Sequence, residues 1–330
     1  MKIIFAILIS LFTLISPLLA EEKTSLIVYT YDSFNTEWGP GPKIEKAFEE
    51  ECNCDLKFVS AGDGAALLAK IRLEGEKTKA DVVLGLDSNV LEEARKTKLF
   101  LPNSLNIELD LPIQWKDDTF LPFDWGFFAF VFDGNKTKKI PQSFRELVDS
   151  DIRLVIQDPR SSTPGLGLLL WIQKIFGSDS KSLWEKMSDN IVTVTPGWSE
   201  AYGLFLEGEA EGVLSYTTSP AYHIIAEKDF SKKAAIFTEG HLMQIEVAAI
   251  TAQTSKKKLA KSFMTFLISD KAQSIIPTTN WMYPAKNPKL ALPEAFDIKV
   301  AKDKAIYLQP KSVPELTSEA LLVWKQALRK

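Results

Sequence analysis

The sequence predicts an α/β protein made of two α/β units, and three observations carry that reading. Short runs rich in β-branched residues alternate with longer segments whose apolar residues recur at helical spacing, which implies βαβ units around a mostly parallel sheet. The same alternation restarts near residue 153, after a long aromatic stretch. Glycine, hydroxyl and aromatic residues gather in the turns that follow the strands.

In the first unit, LIVYTY (26–31) reads as a strand and KIEKAFEEE (43–51) as a helix entered through GPGP, where proline suits a first helical turn. DLKFVS (55–60) is a second strand, and DGAALLAKIRLEGE (63–76) carries helical spacing. ADVVLGL (80–86) is a third strand, followed by a helix over SNVLEEARKTKL (88–99) with Ser88 as its cap. FLPFDWGFFAFVFD (120–133) is almost wholly apolar and suits a buried strand crossing between two lobes. The second unit pairs RLVIQD (153–158) with a helix over TPGLGLLLWIQKIF (163–176), IVTVT (191–195) with GWSEAYGLFLEG (197–208), and GVLSYT (212–217) with SPAYHIIAEK (219–228). MQIEVAAIT (243–251) reads as a second crossing strand. The helical segments at 256–269 and 319–330 are expected to return and pack on the first lobe. These boundaries give one lobe from 21–122 plus 247–330 and a second from 123–246.

With 330 residues, 45% hydrophobic and 25% charged, the chain is long enough for two modest domains and too apolar for extended disorder. Residues 1–20, with Lys2, an apolar run, Pro17 and a terminal Ala20, form the pattern of a secretory signal peptide. No Cys follows Ala20 to accept a lipid. A mature periplasmic protein beginning at Glu21 is therefore expected. Removing Lys2 takes the formal charge from −4 to −5, which favours neither nucleic acid nor an acidic membrane face as partner. Cys52 and Cys54 are too few and too close for a disulfide framework or a four-ligand zinc site, and a bridge between them stays open beside two free thiols.

Ligands of open α/β sheets sit at the carboxyl ends of strands, where helix N-termini also aim free amides. Those positions hold YTYDSFNTEWGPG, SAGDGA, QDPRSSTPG, TPGWSEAYG and SYTTSPAYH. Tyr31, Trp38, Trp198, Tyr202, Tyr216 and Tyr222 all fall there, a mixture suited to a small aromatic or cationic ligand held between lobes. Asp63 merely caps its helix or, compatibly with that role, also meets the ligand. Ser162 and Thr163, just before Pro164, either cap a helix or receive a hydroxyl or phosphate at its amides. Trp281 and Tyr283 form a packed corner or a cleft wall, and Glu246 in a buried strand needs a partner. Catalytic groupings are thin. GWSEA (197–201) imitates a nucleophile elbow without a glycine-rich oxyanion loop, and His223 and His241 lack metal-ligand spacing to a second His or Cys.

The segments VYTYDSFNTEWGPGPKIEKAFEEECNCDLKFV, GDGAALLAKIRLEGEKTKADVVLGLD, QDPRSSTPGLGLLLWIQKIFG, VTVTPGWSEAYGLFLEGE, LSYTTSPAYHI and PTTNWMYP together closely resemble the periplasmic thiamine-binding proteins of bacterial ABC importers. SYTTSPAYH and NWMYP are the most specific pieces. The resemblance implies a two-lobed type II periplasmic-binding fold whose lobes are joined by crossing hinge strands. It implies a ligand of thiamine, thiamine monophosphate or thiamine diphosphate, no other cofactor, no metal and no catalytic residue. The implied partner is an inner-membrane ABC permease subunit with its ATPase, and the chain would act as a monomer. Carried over by position, Tyr31 and Trp38 sit at the first lobe's cleft, with Asp63 and Gly64 reaching the ligand from the next turn. Ser162 and Thr163 match contacts to its hydroxyl or phosphate end. Trp198 is a further contact, Tyr216, Thr217, Thr218 and Ser219 line the second lobe, and Tyr222 and Trp281 match aromatic walls. A thiaminase-like transferase would need a cleft nucleophile, and the two cysteines are predicted away from the strand ends. Ferric iron would need clustered Tyr, His and carboxylate ligands, and a polyamine several cleft acids.

Overall fold

The computed structural model describes residues 23–298 and 300–328; the signal peptide expected over 1–20 lies outside them. The first unit runs β1 (Ser25–Thr30), α1 (Gly41–Cys52), β2 (Asp55–Ser60), α2 (Gly64–Glu74), β3 (Val82–Asp87), α3 (Leu91–Lys96) and a short β4 (Phe100–Leu101). The long β5 (Leu121–Asp133) leads through α4 (Phe144–Val148) into β6 (Leu154–Gln157), α5 (Thr163–Phe176), α6 (Ser180–Met187), β7 (Ile191–Thr195), α7 (Trp198–Glu207) and β8 (Gly212–Tyr216). Then come α8 (Pro220–Tyr222), β9 (Lys232–Ala234), β10 (His241–Thr251), α9 (Lys257–Leu267), α10 (Asp270–Ile275), β11 (Tyr283–Pro284), β12 (Ala305–Ile306) and α11 (Val313–Ala327).

The twelve strands are linked in the order β2-β1-β3-β10-β5-β8-β6-β7, with the short strands beside this path. Within each unit the neighbours are parallel, β1 with β2 and β3, and β6 with β7 and β8. Antiparallel pairing enters only with β5 and β10, whose apolar sequences are buried along nearly their whole length. β5 changes partner midway. Leu121 to Phe127 pair with β10, and Phe128 to Phe132 pair with β8. The strand is thus shared by both units.

Several local expectations are corrected. Ser88 does not cap α3, whose N-cap position is Val90; the Ser88 hydroxyl instead accepts from the Ile245 amide at 3.3 Å, because β10 passes close to the end of β3. The helix expected over 219–228 is one α-turn followed by a π-turn over His223–Glu227, ending at Lys228 with φ 57°. Its C-terminal half turns to place His223 between Tyr202 and Glu227. The last helix packs mainly on the second unit, with only a slight contact to α3 of the first: Val313, Ala320, Trp324 and Ala327 join one buried cluster with Trp171, Leu183 and Trp184 of α5 and α6. Helical spacing shows which face is buried and not which surface it meets. Cys52 and Cys54 are joined by a disulfide at the end of α1, with Asn53 between them at φ 49°.

Candidate functional site

The carboxyl ends of β1, β2, β6, β7 and β8 open on one cavity of about 400 Å³. Three helices start at its rim, and their first residues Gly64, Thr163 and Trp198 all line it. The positive ends of three helix dipoles thus meet at this rim. At its centre lies Asp63, nearly buried, whose Oδ2 accepts from the Ser162 hydroxyl at 2.7 Å and from the Trp198 amide at 3.0 Å. Burial pushes the Asp63 carboxyl up to about 6, and these two donors oppose the shift. Neither Asp63 nor Ser162 caps its own helix by its side chain. The capping alternative therefore fails for both, and the pair instead ties the start of α2 to the start of α5. Gly64 is required at this junction, since a Cβ would fall 2.5 Å from the Thr163 hydroxyl and 2.8 Å from the Gly85 carbonyl oxygen.

Aromatic rings make the walls. Trp198 stacks on Tyr202 at 4.9 Å, and its indole N–H donates to Ser215 at 2.8 Å. The Ser215 and Ser219 hydroxyls are 2.7 Å apart, and Ser219 also accepts from the Tyr216 amide. The partly exposed Trp38 closes over Trp198 at 6.4 Å. Tyr222 meets Trp281 edge to face at 5.3 Å, and Trp281 is held at φ 57°. A bulky residue in the left-handed region is unusual and costs about 1–3 kcal/mol, so its surroundings must impose the conformation. Tyr31 lies flat over Gly85, where any Cβ would fall 2.1 Å from the ring. Its hydroxyl donates to Glu246 at 2.8 Å and accepts from the Asn280 amide at 2.8 Å.

Of the residues singled out from the sequence, Tyr31, Trp38, Asp63, Gly64, Thr163, Trp198, Tyr216, Ser219, Tyr222 and Trp281 share this cavity. Three do not face it. Ser162 is fully buried behind Asp63; the Thr217 amide binds the Phe127 carbonyl at 2.9 Å; and Thr218 is buried with its hydroxyl 4.0 Å from the Met282 sulfur. Residues not singled out as ligand contacts complete the lining, among them Ser199, Tyr202, Leu206, Glu246, Asn280 and Met282. Tyr202 was visible as a strand-end aromatic, whereas nothing local marks Asn280 or Met282.

The remaining polar groups are structural. His241 accepts the Phe237 amide at Nε2 and faces the Phe128 carbonyl at 2.9 Å through Nδ1, and burial lowers its pKa to about 4. It cannot serve an elbow at Ser199. Donor atoms of His223, Glu227 and Asp229 lie within 4.8 Å of one another. Both His223 nitrogens are already engaged, by Tyr202 and Glu227, and Asp229 holds Ser231 and Lys232.

Comparison with known proteins agrees with this geometry. Residues 77–301 match the bacterial extracellular solute-binding protein family. The chain is 51% identical over 309 residues to the thiamine-binding periplasmic protein of Escherichia coli K12, covering 93% of this chain and 94% of that one. It is 42% identical to the protein of the same name from Haemophilus influenzae, over the full length of both. A solved periplasmic thiamin binding protein superposes with a TM-score of 0.90 at 50% identity, covering 93% and 97% of the two chains. A ferric binding protein from Campylobacter jejuni, at 19% identity and a TM-score of 0.74 over 92% and 99% of the chains, shares the fold alone.

Proposed function

From a chain that belongs to the bacterial extracellular solute-binding proteins, and within them to the thiamine-binding periplasmic proteins, we propose how the site holds thiamine and its phosphates. The protein is a periplasmic binding component that takes up thiamine and serves an ABC transporter; it is not an enzyme. The cavity between the two units receives the vitamin: one lobe is 21–122 plus 247–330, whose last helix crosses to pack on the other, 123–246. The lobes close on it, and the closed monomer docks on the inner-membrane permease and its ATPase. Export by a cleaved signal peptide over residues 1–20 completes the reading.

One observation carries the orientation. Three helix N-termini converge on the cavity, whose lining also carries aromatic faces and the buried Glu246. Amide-rich helix starts favour an anionic or hydroxyl group, so the hydroxyethyl end of thiamine, or the phosphate of its esters, points to Gly64, Thr163 and Trp198. The aminopyrimidine and thiazolium rings stack among Trp198, Tyr216, Tyr222 and Trp281. Each cation and ring contact contributes about 0.5–2 kcal/mol, depending on desolvation. The relatives at 42% identity or more are named for thiamine, whereas an iron uptake protein matches at only 23%, which disfavours the iron alternative; none of these relatives is named for a polyamine.

Calorimetric titration with thiamine, its monophosphate and an analogue lacking the hydroxyethyl tail tests this orientation. Replacing Thr163, which lines the cavity, by Val should weaken the monophosphate more than the tailless analogue, by roughly 1.5–3 kcal/mol for a lost hydrogen bond to a charged group. Equal losses for both ligands would sink the assignment of the tail to this end.

A further inference from the structure

Three acids stand side by side on three adjacent strands beneath the cavity. Glu246 of β10 is the direct cross-strand neighbour of Asp87 on β3 and of Asp124 on β5. Residues directly opposite one another project from the same face of a sheet, so the three carboxyl groups form a row. All three are buried, at 1%, 7% and 0% exposure for Asp87, Glu246 and Asp124. The row is faced by Tyr31 from the turn after β1, by Asn280 from the loop before β11, by Gln244 of β10 and by Thr163 of α5; Tyr216 of β8 reaches it through Gln244. None of these groups is a cation. A buried carboxylate row without a counter-charge is costly unless it holds protons or receives a positive ligand.

The hydrogen bonds leave one carboxylate oxygen in want of a donor. The Asp124 Oδ2 accepts from Asn280 at 2.6 Å, while its Oδ1 is buried with no donor. The neighbouring Glu246 carboxyl supplies one if it is protonated, and its own oxygens meanwhile accept from Tyr31 and Gln244 at 2.8 Å each. Of the three acids only Glu246 also lines the cavity. We propose that this row is the cation-reading wall of the site: Glu246 receives the positively charged ring of the ligand, and capture expels to solvent the proton that Glu246 and Asp124 share in the empty protein.

The proposal rests on the thiamine reading, because thiamine brings a permanent cation. Burial raises Asp87 to about 7 and holds the Glu246 and Asp124 pair above the ordinary carboxylate range, so a shared proton is present near neutral pH. A cation beside the row favours its charged form and lowers these values. The sign follows: a proton leaves on binding, so affinity rises with pH through the neutral range, by at most about tenfold per pH unit for each proton released.

The test is calorimetry of the mature protein with thiamine between pH 6 and 8, in phosphate and in Tris, whose heats of ionisation differ. We expect release approaching one proton per thiamine, and no release with an uncharged aminopyrimidine fragment. Glu246→Gln should remove the release and flatten the pH dependence, with a melting curve of the free variant as the fold control. Asp124→Asn, which leaves the cavity lining intact, should remove the release as well and serves alone if the first variant does not fold. Equal heats in both buffers for the wild type, or undiminished release in the variants, overturn the proposal while leaving thiamine binding intact. A protein that binds no thiamine at any pH overturns the functional reading first and this one with it.

Discussion

Replacing Ser162 by Ala probes the contact that joins the starts of α2 and α5. Ser162 is fully buried, so Ala fits its space and removes only the hydroxyl that donates to Asp63 at 2.7 Å. A hydrogen bond to a charged group contributes about 1.5–3 kcal/mol, and Asp63 would keep the Trp198 amide as its donor. Asp63 lies in the first lobe and Ser162 in the second as proposed, so this bond exists only when the lobes are closed. The whole loss then falls on binding: roughly 10- to 150-fold weaker thiamine affinity at 1.4 kcal/mol per tenfold. The variant also removes one of the two donors that hold the Asp63 carboxyl down, so its pKa should move further above about 6. A double-mutant cycle with Asp63→Asn, read by calorimetric titration, isolates the pair. Coupling above 1 kcal/mol is expected, with small-angle scattering showing incomplete closure in the single variants. Coupling below about 0.5 kcal/mol, or an unchanged affinity with a lowered melting temperature, would refute the closure argument and leave an internal fold contact.

Gly85→Ala should damage both fold and binding, since its φ is 104° and the new Cβ would fall 2.1 Å from the Tyr31 ring. About 1–3 kcal/mol of strain is expected, seen as a lower melting temperature, together with at least tenfold weaker thiamine binding as the Tyr31 hydroxyl leaves Glu246; an unchanged titration would show that Tyr31 does not set the cavity wall. Replacing Cys52 and Cys54 together by Ser should lower stability by about 2 kcal/mol or less, because the bridge closes a very short loop, and should leave affinity unchanged because neither residue lines the cavity. A chemical denaturation curve and a titration of that variant check both halves.

Most of the backbone was legible in the sequence because its signals are local. The strands over 55–60 and 191–195 and the helix over 163–176 end where composition and spacing place them. The turns after the strands concentrate site residues because helix amides and strand ends meet there in any open α/β sheet. Where local reading failed, a distant neighbour had decided the outcome. Ser88 looks like a cap until β10 offers it the Ile245 amide, and the 219–228 segment looks like one helix until Tyr202 and Glu227 draw His223 into a π-turn. The spacing of Val313, Ala320, Trp324 and Ala327 marks a buried face, but α5 and α6 are what it meets.

By itself the sequence determined the α/β alternation, the buried crossing strands, the aromatic and hydroxyl character of the strand ends and, through SYTTSPAYH and NWMYP, a resemblance that proved sound. The tertiary structure alone decided which acids stand side by side and which residues share a cavity. Tyr31 meets Glu246 across 215 positions and Asn280 across 249, and no periodicity spans such distances. Asp63 turned from a helix cap into a buried link to Ser162 for the same reason: a carboxylate takes the strongest donors within reach, and those donors, Ser162 and Trp198, come 99 and 135 residues later in the chain.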